Sequence, residues 1–111
     1  MSTPRLTTEI WIAAYLTRTR LADIPAFVVQ KGDNSAGAVL VKLNTLDGQA
    51  SCFHRSFDLM SGERKWVVLS EGVEAEVDAS IAKQKSFDPD LWVIEIEDKT
   101  GRHLLDEPGL E

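Results

Sequence analysis

The pattern of apolar and polar residues divides the chain into two helices and five or six strands. Apolar residues recur at helical spacing along residues 6–21 and again along 71–86, where Val73, Val77 and Ile81 lie four apart. Runs with period-two alternation predict strands at residues 26–31, 36–43, 49–57, 63–69, 91–98 and, as a short sixth strand, 102–105. The predicted order is helix, four strands, helix, two strands.

Boundary residues support most of these segments. Thr3 and Pro4 suit the cap and first turn of the first helix, although the β-branched pair Thr7-Thr8 leaves a strand over residues 6–12 as an alternative. Acidic residues open the second helix and lysines close it, as the helix dipole favours. Asp47-Gly48 predicts a tight turn between two strands.

These elements predict an α+β fold. Short turns between successive strands require antiparallel neighbours, and helices with one apolar face must cover a sheet. We therefore expect a two-layer sandwich, in which two helices cover a mainly antiparallel five- or six-stranded sheet. The length predicts a single domain over residues 1–111, with an ordered core at about residues 5–105 and a frayed tail at 106–111.

Charge and cysteine content narrow the partners and the compartment. Twelve basic against eighteen acidic residues give a net charge of −6 without a basic cluster, so neither nucleic acid nor an anionic membrane is expected as a partner. Cys52 is the single cysteine, and Glu9 precedes any apolar block, unlike in a signal peptide. No apolar run approaches the ~20 residues of a membrane span. These features predict a soluble cytoplasmic protein.

The stretch "VVQKGDNSAGAVLVKL" (residues 28–43) contains glycines of the kind found in phosphate-binding loops. A P-loop needs a lysine after its second glycine and then a helix, but Ala38 follows Gly37 and a strand comes next. We therefore interpret the stretch as a structural turn with Gly32 at positive φ. Asp33 at the loop tip remains a candidate ligand contact.

The stretch "FDPDLWVIEIED" (residues 87–98) is the most distinctive acidic segment. Glu95 and Glu97 share one strand face, where two carboxylates could act on a substrate or join Asp88 and Asp90 around a cation. The same alternation is typical of a half-solvated strand, and acids beside a proline are typical of a turn. The structural interpretation is favoured for all four residues.

Cysteine and histidine offer little for metal or nucleophilic chemistry. Cys52 and His54 face the same way on a predicted strand, as half of a zinc site or as a nucleophile and its base would. The only other histidine is His103, and there is no second cysteine. A buried structural cysteine is the favoured interpretation.

The three tryptophans are predicted to fill the core, because a small domain needs large side chains there. Trp66 is the first candidate for an exposed, binding indole, since it follows Arg64 and Lys65.

Several fragments resemble one family of small, mainly alphaproteobacterial proteins, domain of unknown function 1491. The resemblance rests on "RLTTEIWIAAYL", "KGDNSAGAVLVKLN", Trp66 and "DPDLWVIEIED", in the family's order from about Arg5 to His103. It implies a cytosolic bacterial protein of uncharacterised role and offers no catalytic residues to carry over.

Two functions follow as hypotheses. The favoured one is a non-enzymatic protein-interaction module or homo-oligomer, because sheet edges can dock a partner strand and no catalytic motif or cofactor site is recognisable. The alternative is a small-molecule or divalent-cation binding protein, conceivably an enzyme. The candidate ligand-binding residues are Asp33, Arg64, Trp66, Asp88, Asp90 and Glu95.

Overall fold

The computed structural model describes residues 6–111, and two helices and five strands form within them. The helices are Thr8–Leu21 (α1) and Glu74–Phe87 (α2); the strands are Ala26–Gln30 (β1), Val39–Asn44 (β2), Gln49–Phe57 (β3), Arg64–Val73 (β4) and Trp92–Glu97 (β5). The ambiguous segment after Leu6 is therefore helical from Thr8. No helix among the described residues is long and apolar enough to cross a membrane.

Both helices begin later than the sequence pattern predicts. Thr7 caps α1, its hydroxyl accepting the Ile10 N–H at 3.3 Å; Thr3 and Pro4, the predicted cap and first turn, lie outside the described residues. The start of α2 is displaced because β4 continues to Val73, and the Glu74 N–H donates to the Gly48 carbonyl at 3.0 Å. Val73 therefore ends a strand and is not part of the helical face.

The predicted sixth strand is wrong. The Asp98 carboxylate accepts the backbone N–H of Arg102 and the hydroxyl of Thr100, each at 2.7 Å, and so holds the chain in a turn. Leu104 then has a φ of +63°, which an extended strand does not allow. Residues 102–111, hereafter the C-terminal segment, have no helix or strand.

The sheet is mixed, not antiparallel throughout. The strand order is β1-β5-β2-β3-β4, and β5 pairs antiparallel with β1 but parallel with β2, from Val39↔Trp92 to Asn44↔Glu97. Parallel pairing requires a crossover connection. The chain makes this crossover with α2, which carries it from the edge strand β4 back to the middle of the sheet.

The helices lie on opposite faces of the sheet, so the predicted two-layer arrangement is wrong and there are three layers. Tyr15 of α1 packs with Ile94 of β5, whereas Val77 of α2 packs with Val93. Because neighbouring residues of a strand point to opposite faces, β5 is buried on both sides. We call the two sides the α1 face and the α2 face.

The C-terminal segment packs onto the α1 face, contrary to the expectation of a frayed tail at residues 106–111. Leu110 is fully buried, and its carbonyl accepts the indole N–H groups of Trp11 and Trp66 at 3.2 and 2.8 Å. The Arg18 guanidinium donates to the Pro108 carbonyl at 2.8 Å. Buried side-chain and carbonyl contacts therefore hold the segment in place.

Candidate functional site

The first half of β4 forms an unpaired edge of the sheet. Among the described strands β4 pairs only with β3, with Trp66 opposite Arg55 and Arg64 opposite Phe57. An outer strand keeps one row of backbone N–H and C=O groups available for another chain. We call the outward side of residues 64–68 the β4 edge.

The hairpin geometry determines which backbone groups are available there. The Asp58 N–H donates to the Glu63 carbonyl at 2.8 Å, so the carbonyl of Glu63 points toward β3. In an antiparallel ladder successive residues alternate between the two sides of a strand. The backbone groups of Arg64, Trp66 and Val68 therefore point away from β3, toward the free edge.

A cavity of about 390 Å³ lies beside this edge. We call it the Trp66 pocket. Its lining combines apolar and ring side chains with charged ones: Phe53, Trp66, His103 and Leu105 are joined by Arg64, Lys65, Asp106 and Glu111. A mainly apolar hollow with a few charged groups at its boundary is the usual form of a binding pocket.

The neighbours of Trp66 hold its indole in place. The indole N–H donates to the Leu110 carbonyl at 2.8 Å, and the ring centroid lies 5.1 Å from that of Trp11. The guanidinium of Arg55 lies 5.0 Å from the Trp66 ring and 4.8 Å from the Trp11 ring, within the range of a cation–π contact. The pocket is thus formed before any ligand arrives.

Charge and apolar surface lie side by side along the edge. Among the described residues Arg64 and Lys65 form no ion pair. The next two residues, Val67 and Val68, are 36% and 47% exposed although both are apolar. The edge therefore offers backbone hydrogen bonds, two cations and apolar surface to the same ligand.

Arg64 and Trp66 are the predicted candidates that the structure brings together in this pocket. Asp88 lines a different hollow of about 300 Å³, together with His54 and Arg64. The Asp88 carboxylate accepts the Asp90 N–H at 3.0 Å, which accounts for both acids as part of a turn.

Asp33 has a structural role in its loop. Its carboxylate accepts the N–H groups of Ser35 and Ala36 at 3.2 and 2.9 Å, and its own N–H donates to the Asp90 carbonyl at 3.0 Å. The prediction of a positive φ at Gly32 is wrong. Glycine is required there because a Cβ would come within 2.1 Å of the Asp90 carbonyl oxygen.

Glu95 belongs to an ion cluster centred on buried Lys42, whose three carboxylate partners are partly exposed. The Lys42 ammonium lies 2.7 Å from Glu74, 2.7 Å from Asp78 and 3.3 Å from Glu95, and Lys42 is only 4% exposed. Burial alone would lower the pKa of Lys42, but hydrogen bonds to Asp78 and Glu74 and the charge of Glu95 outweigh it, so the pKa is raised.

This cluster supplies its own cation. Within residues 6–111 no group of three His, Cys, Asp or Glu side chains is arranged to hold a metal ion. Lys42 is not among the residues predicted from the sequence, although a lysine inside the apolar strand "VLVKLN" is a signal for a buried, paired charge.

Cys52 and His54 do not form a reactive pair. Cys52 is fully buried in the α2-face core, and this burial raises the pKa of its thiol to about 12 despite the nearby charge of Lys42. The thiol is therefore protonated at neutral pH and is a poor nucleophile. His103 lies on the α1 face, its ring 4.7 Å from that of Phe53.

The pocket residues contributed by the C-terminal segment are also not among the residues predicted from the sequence. Leu105, Asp106 and Glu111 line the Trp66 pocket, yet 106–111 was expected to fray. The apolar pair Leu104-Leu105 and the isolated Leu110 were the available signals of a packed segment.

Comparison with known proteins gives the same fold in related chains. Residues 6–106 match the family described as "Protein of unknown function (DUF1491)". A search of the curated proteins found no match.

Solved structures of related proteins are similar to this chain. A crystal structure of a DUF1491 family protein from Caulobacter crescentus CB15 is 42% identical, with 94% of this chain and 98% of that chain covered and a TM-score of 0.84. An NMR structure of a DUF1491 family protein from the same organism is 42% identical, with 96% and 97% covered and a TM-score of 0.81. The solution structure of protein Atu0922 from A. tumefaciens is 31% identical, with 85% and 86% covered and a TM-score of 0.72. The chain therefore belongs to the DUF1491 family, as its sequence fragments predict.

Proposed function

We propose that this protein is an interaction module that binds an extended segment of a partner protein at the β4 edge. The observation that carries the proposal is that the backbone groups of Arg64, Trp66 and Val68 point outward along an edge where Arg64 and Trp66 also line a preformed pocket. Strand addition uses this combination, because main-chain hydrogen bonds give affinity and pockets for alternate side chains give specificity.

The other edge of the sheet is less suited to strand addition. β1 has five residues against ten in β4. Very short edge strands are a common means of preventing pairing with another chain. The contrast favours β4 as the binding edge and makes β1 an internal control.

The alternative, a small-molecule binding protein, would use the same pocket, whose volume falls within the range of about 300–1,000 Å³ typical of ligand sites. The pocket lies along an open strand edge, which an extended chain can contact over a greater length than a small molecule can. We therefore favour the interaction module.

Peptide display on the intact protein tests the proposal. A library of random 12-residue peptides is selected against the wild type, and the selected peptides are then measured against Val68→Pro and Val28→Pro. Proline removes an N–H, which at Val68 would be one that faces the added strand. Selected peptides should bind Val28→Pro as they bind wild type, and should lose at least about tenfold in affinity for Val68→Pro.

Val28→Pro is the matched control for Val68→Pro. Pro25 accepts the Glu97 N–H with its carbonyl, so alternation places the Val28 N–H on the outer side of β1, equivalent to Val68 on β4. Both variants must retain the wild-type amide NMR spectrum away from the substitution. If proline at Val68 distorts the strand, Val68→Lys replaces it as a side-chain block. Selected peptides that bind the β4 variants unchanged, or a selection yielding only binders elsewhere, would contradict the proposal.

A further inference from the structure

We infer that the segment bound at the β4 edge carries three successive apolar residues followed by two acidic residues and runs antiparallel to β4. This inference rests on the proposed function and adds the chemistry of the partner. Its basis is the order of side chains along the edge, which reads Arg64, Lys65, Trp66, Val67, Val68. Antiparallel addition is expected because such ladders form slightly stronger pairs than parallel ones.

The central partner residue lies opposite Trp66. Residues directly opposite each other in a ladder share a face of the sheet, so this side chain lies on the α1 face beside the indole. Phe53, Trp66 and Leu105 line the cavity at that position. A phenylalanine or another large apolar side chain fills such a hollow and removes the most apolar surface from water.

The two partner residues that follow lie opposite Lys65 and then Arg64. Neither cation forms an ion pair within the described part of the chain. Opposite charges facing each other across strands stabilise the pair, whereas like charges weaken it. Aspartate or glutamate is therefore the complementary residue at both positions.

The two partner residues that precede lie opposite Val67 and Val68. These valines are apolar and 36% and 47% exposed, one on each face of the strand. β-Branched partner residues pack well against valine on a pleated surface. The complete complementary motif is apolar, apolar, aromatic, acidic, acidic.

The protein's own acidic residues at the pocket leave both cations available. Asp106 and Glu111 line the cavity together with Arg64 and Lys65. Among the described residues neither acid forms an ion pair with either cation, so a partner segment can supply the opposite charge.

A second copy of the chain is a poorer occupant of this edge. Antiparallel self-pairing centred on Trp66 would place Val68 of the second copy opposite Arg64 and Val67 opposite Lys65. Both cations would then face valine, which supplies no opposite charge. Charge complementarity therefore favours a different, acidic segment.

Synthetic peptides with blocked ends test the inference by fluorescence anisotropy with the full chain. The probe contains Val-Val-Phe-Asp-Glu between neutral flanks, and the controls contain Val-Val-Phe-Asn-Gln and the reversed order Glu-Asp-Phe-Val-Val. We expect the probe to bind about tenfold tighter than the amide control, and more tightly than the reversed peptide, at low salt.

A charge exchange distinguishes recognition from a merely structural effect. The double variant Arg64→Glu, Lys65→Glu should bind the probe at least about tenfold more weakly and should prefer a Val-Val-Phe-Lys-Lys peptide instead. An equivalent exchange at exposed Lys83 and Lys99 should leave the preference unchanged.

The outcomes separate this inference from the function on which it rests. Equal binding of the acidic and amide peptides, or no reversal of preference in the double variant, would overturn the motif, and tighter binding of the reversed peptide would overturn its direction. The proposed function would still stand if display-selected peptides of another sequence depended on the β4 edge. Self-association that depends on Val68, seen by light scattering, would replace the acidic segment with a second copy.

Discussion

The two faces of the sheet are covered to different extents. On the α1 face, α1 and the C-terminal segment together cover all five strands, from Ala26 of β1 to Trp66 of β4. On the α2 face, the core beneath α2 contains residues of β2, β3, β4 and β5 but leaves β1 largely open. Phe27 and Val29 of β1 are consequently 52% and 53% exposed.

The cores beneath the two faces also differ in character. The α1 face contains stacked rings, with Trp11 and Tyr15 at 5.0 Å, and the indole N–H of Trp11 and the hydroxyl of Tyr15 both donate to backbone carbonyls. The α2 face has smaller residues and includes the Lys42 ion cluster. The comparison indicates that the α1 face contributes most of the stability, and its C-terminal segment also builds the binding pocket.

The largest expected effect comes from matched truncations in the two cores. Ile94→Ala, on the α1 face, should lower the free energy of unfolding by about 4 kcal/mol, and Ile81→Ala, on the α2 face, by about 2 kcal/mol. Ile94 is fully buried beneath α1 and the C-terminal segment, whereas Ile81 borders the open half of the other face. Urea unfolding of both variants measures the difference. An equal or larger loss from Ile81→Ala would contradict the ranking of the two faces.

A smaller effect is expected at alkaline pH, where Tyr15 titrates on the α1 face and both Lys42 and Cys52 titrate on the α2 face. Burial raises the pKa of Tyr15 above its ordinary value of 10.0, and the carboxylate contacts raise that of Lys42 above 10.5. The folded state therefore binds more protons than the unfolded state at high pH. The resulting stability is fully present below about pH 9, where the thiol of Cys52 begins to titrate in the unfolded chain, and is lost as pH rises further.

Urea unfolding between about pH 9 and about pH 11 measures this loss. Tyr15→Phe, on the α1 face, and Lys42→Met, on the α2 face, should each reduce the slope of the free energy of unfolding against pH. Lys83→Met replaces an exposed lysine of α2 and should leave that slope as in wild type. A slope that neither Tyr15→Phe nor Lys42→Met reduces would show that the buried groups do not control alkaline stability.

The smallest expected effect is on the labelling rate of Cys52 and leaves stability unchanged. It tests how completely the α2 face excludes solvent from this thiol. With a pKa of about 12 instead of 9.0, the thiolate population at pH 8 should be about a thousandfold below that of an ordinary thiol. Labelling by a disulfide reagent should therefore be slow in the folded protein and fast in urea. Rapid labelling of the native state would mean that this face opens readily despite its packed core.

Local patterns predicted the elements well where one periodicity dominated. The strand predicted at 91–98 is observed at Trp92–Glu97, and the strand at 49–57 is observed with those bounds. Arg64 and Trp66 were also identified as candidates from their adjacency alone, and the structure brings both to one pocket. In these cases the relevant information lies within a few neighbouring residues.

Long-range contacts account for what the patterns missed. The burial of Leu110 depends on Trp11 and Trp66, which lie 99 and 44 residues away in the chain. The ion cluster likewise joins Lys42 on β2 to Glu74 on α2, 32 residues apart. No local periodicity predicts either of these contacts.

By itself, the amino-acid sequence determined the two helices, the five strands and the acidic character of this protein, because propensity, turn residues and charge are local properties. Only the tertiary structure decided that β5 enters between β1 and β2, that the helices take opposite faces, and that the C-terminal segment joins Trp66 to form a pocket. The physical reason is that strand pairing and burial are settled by competition among distant segments for the same apolar surface.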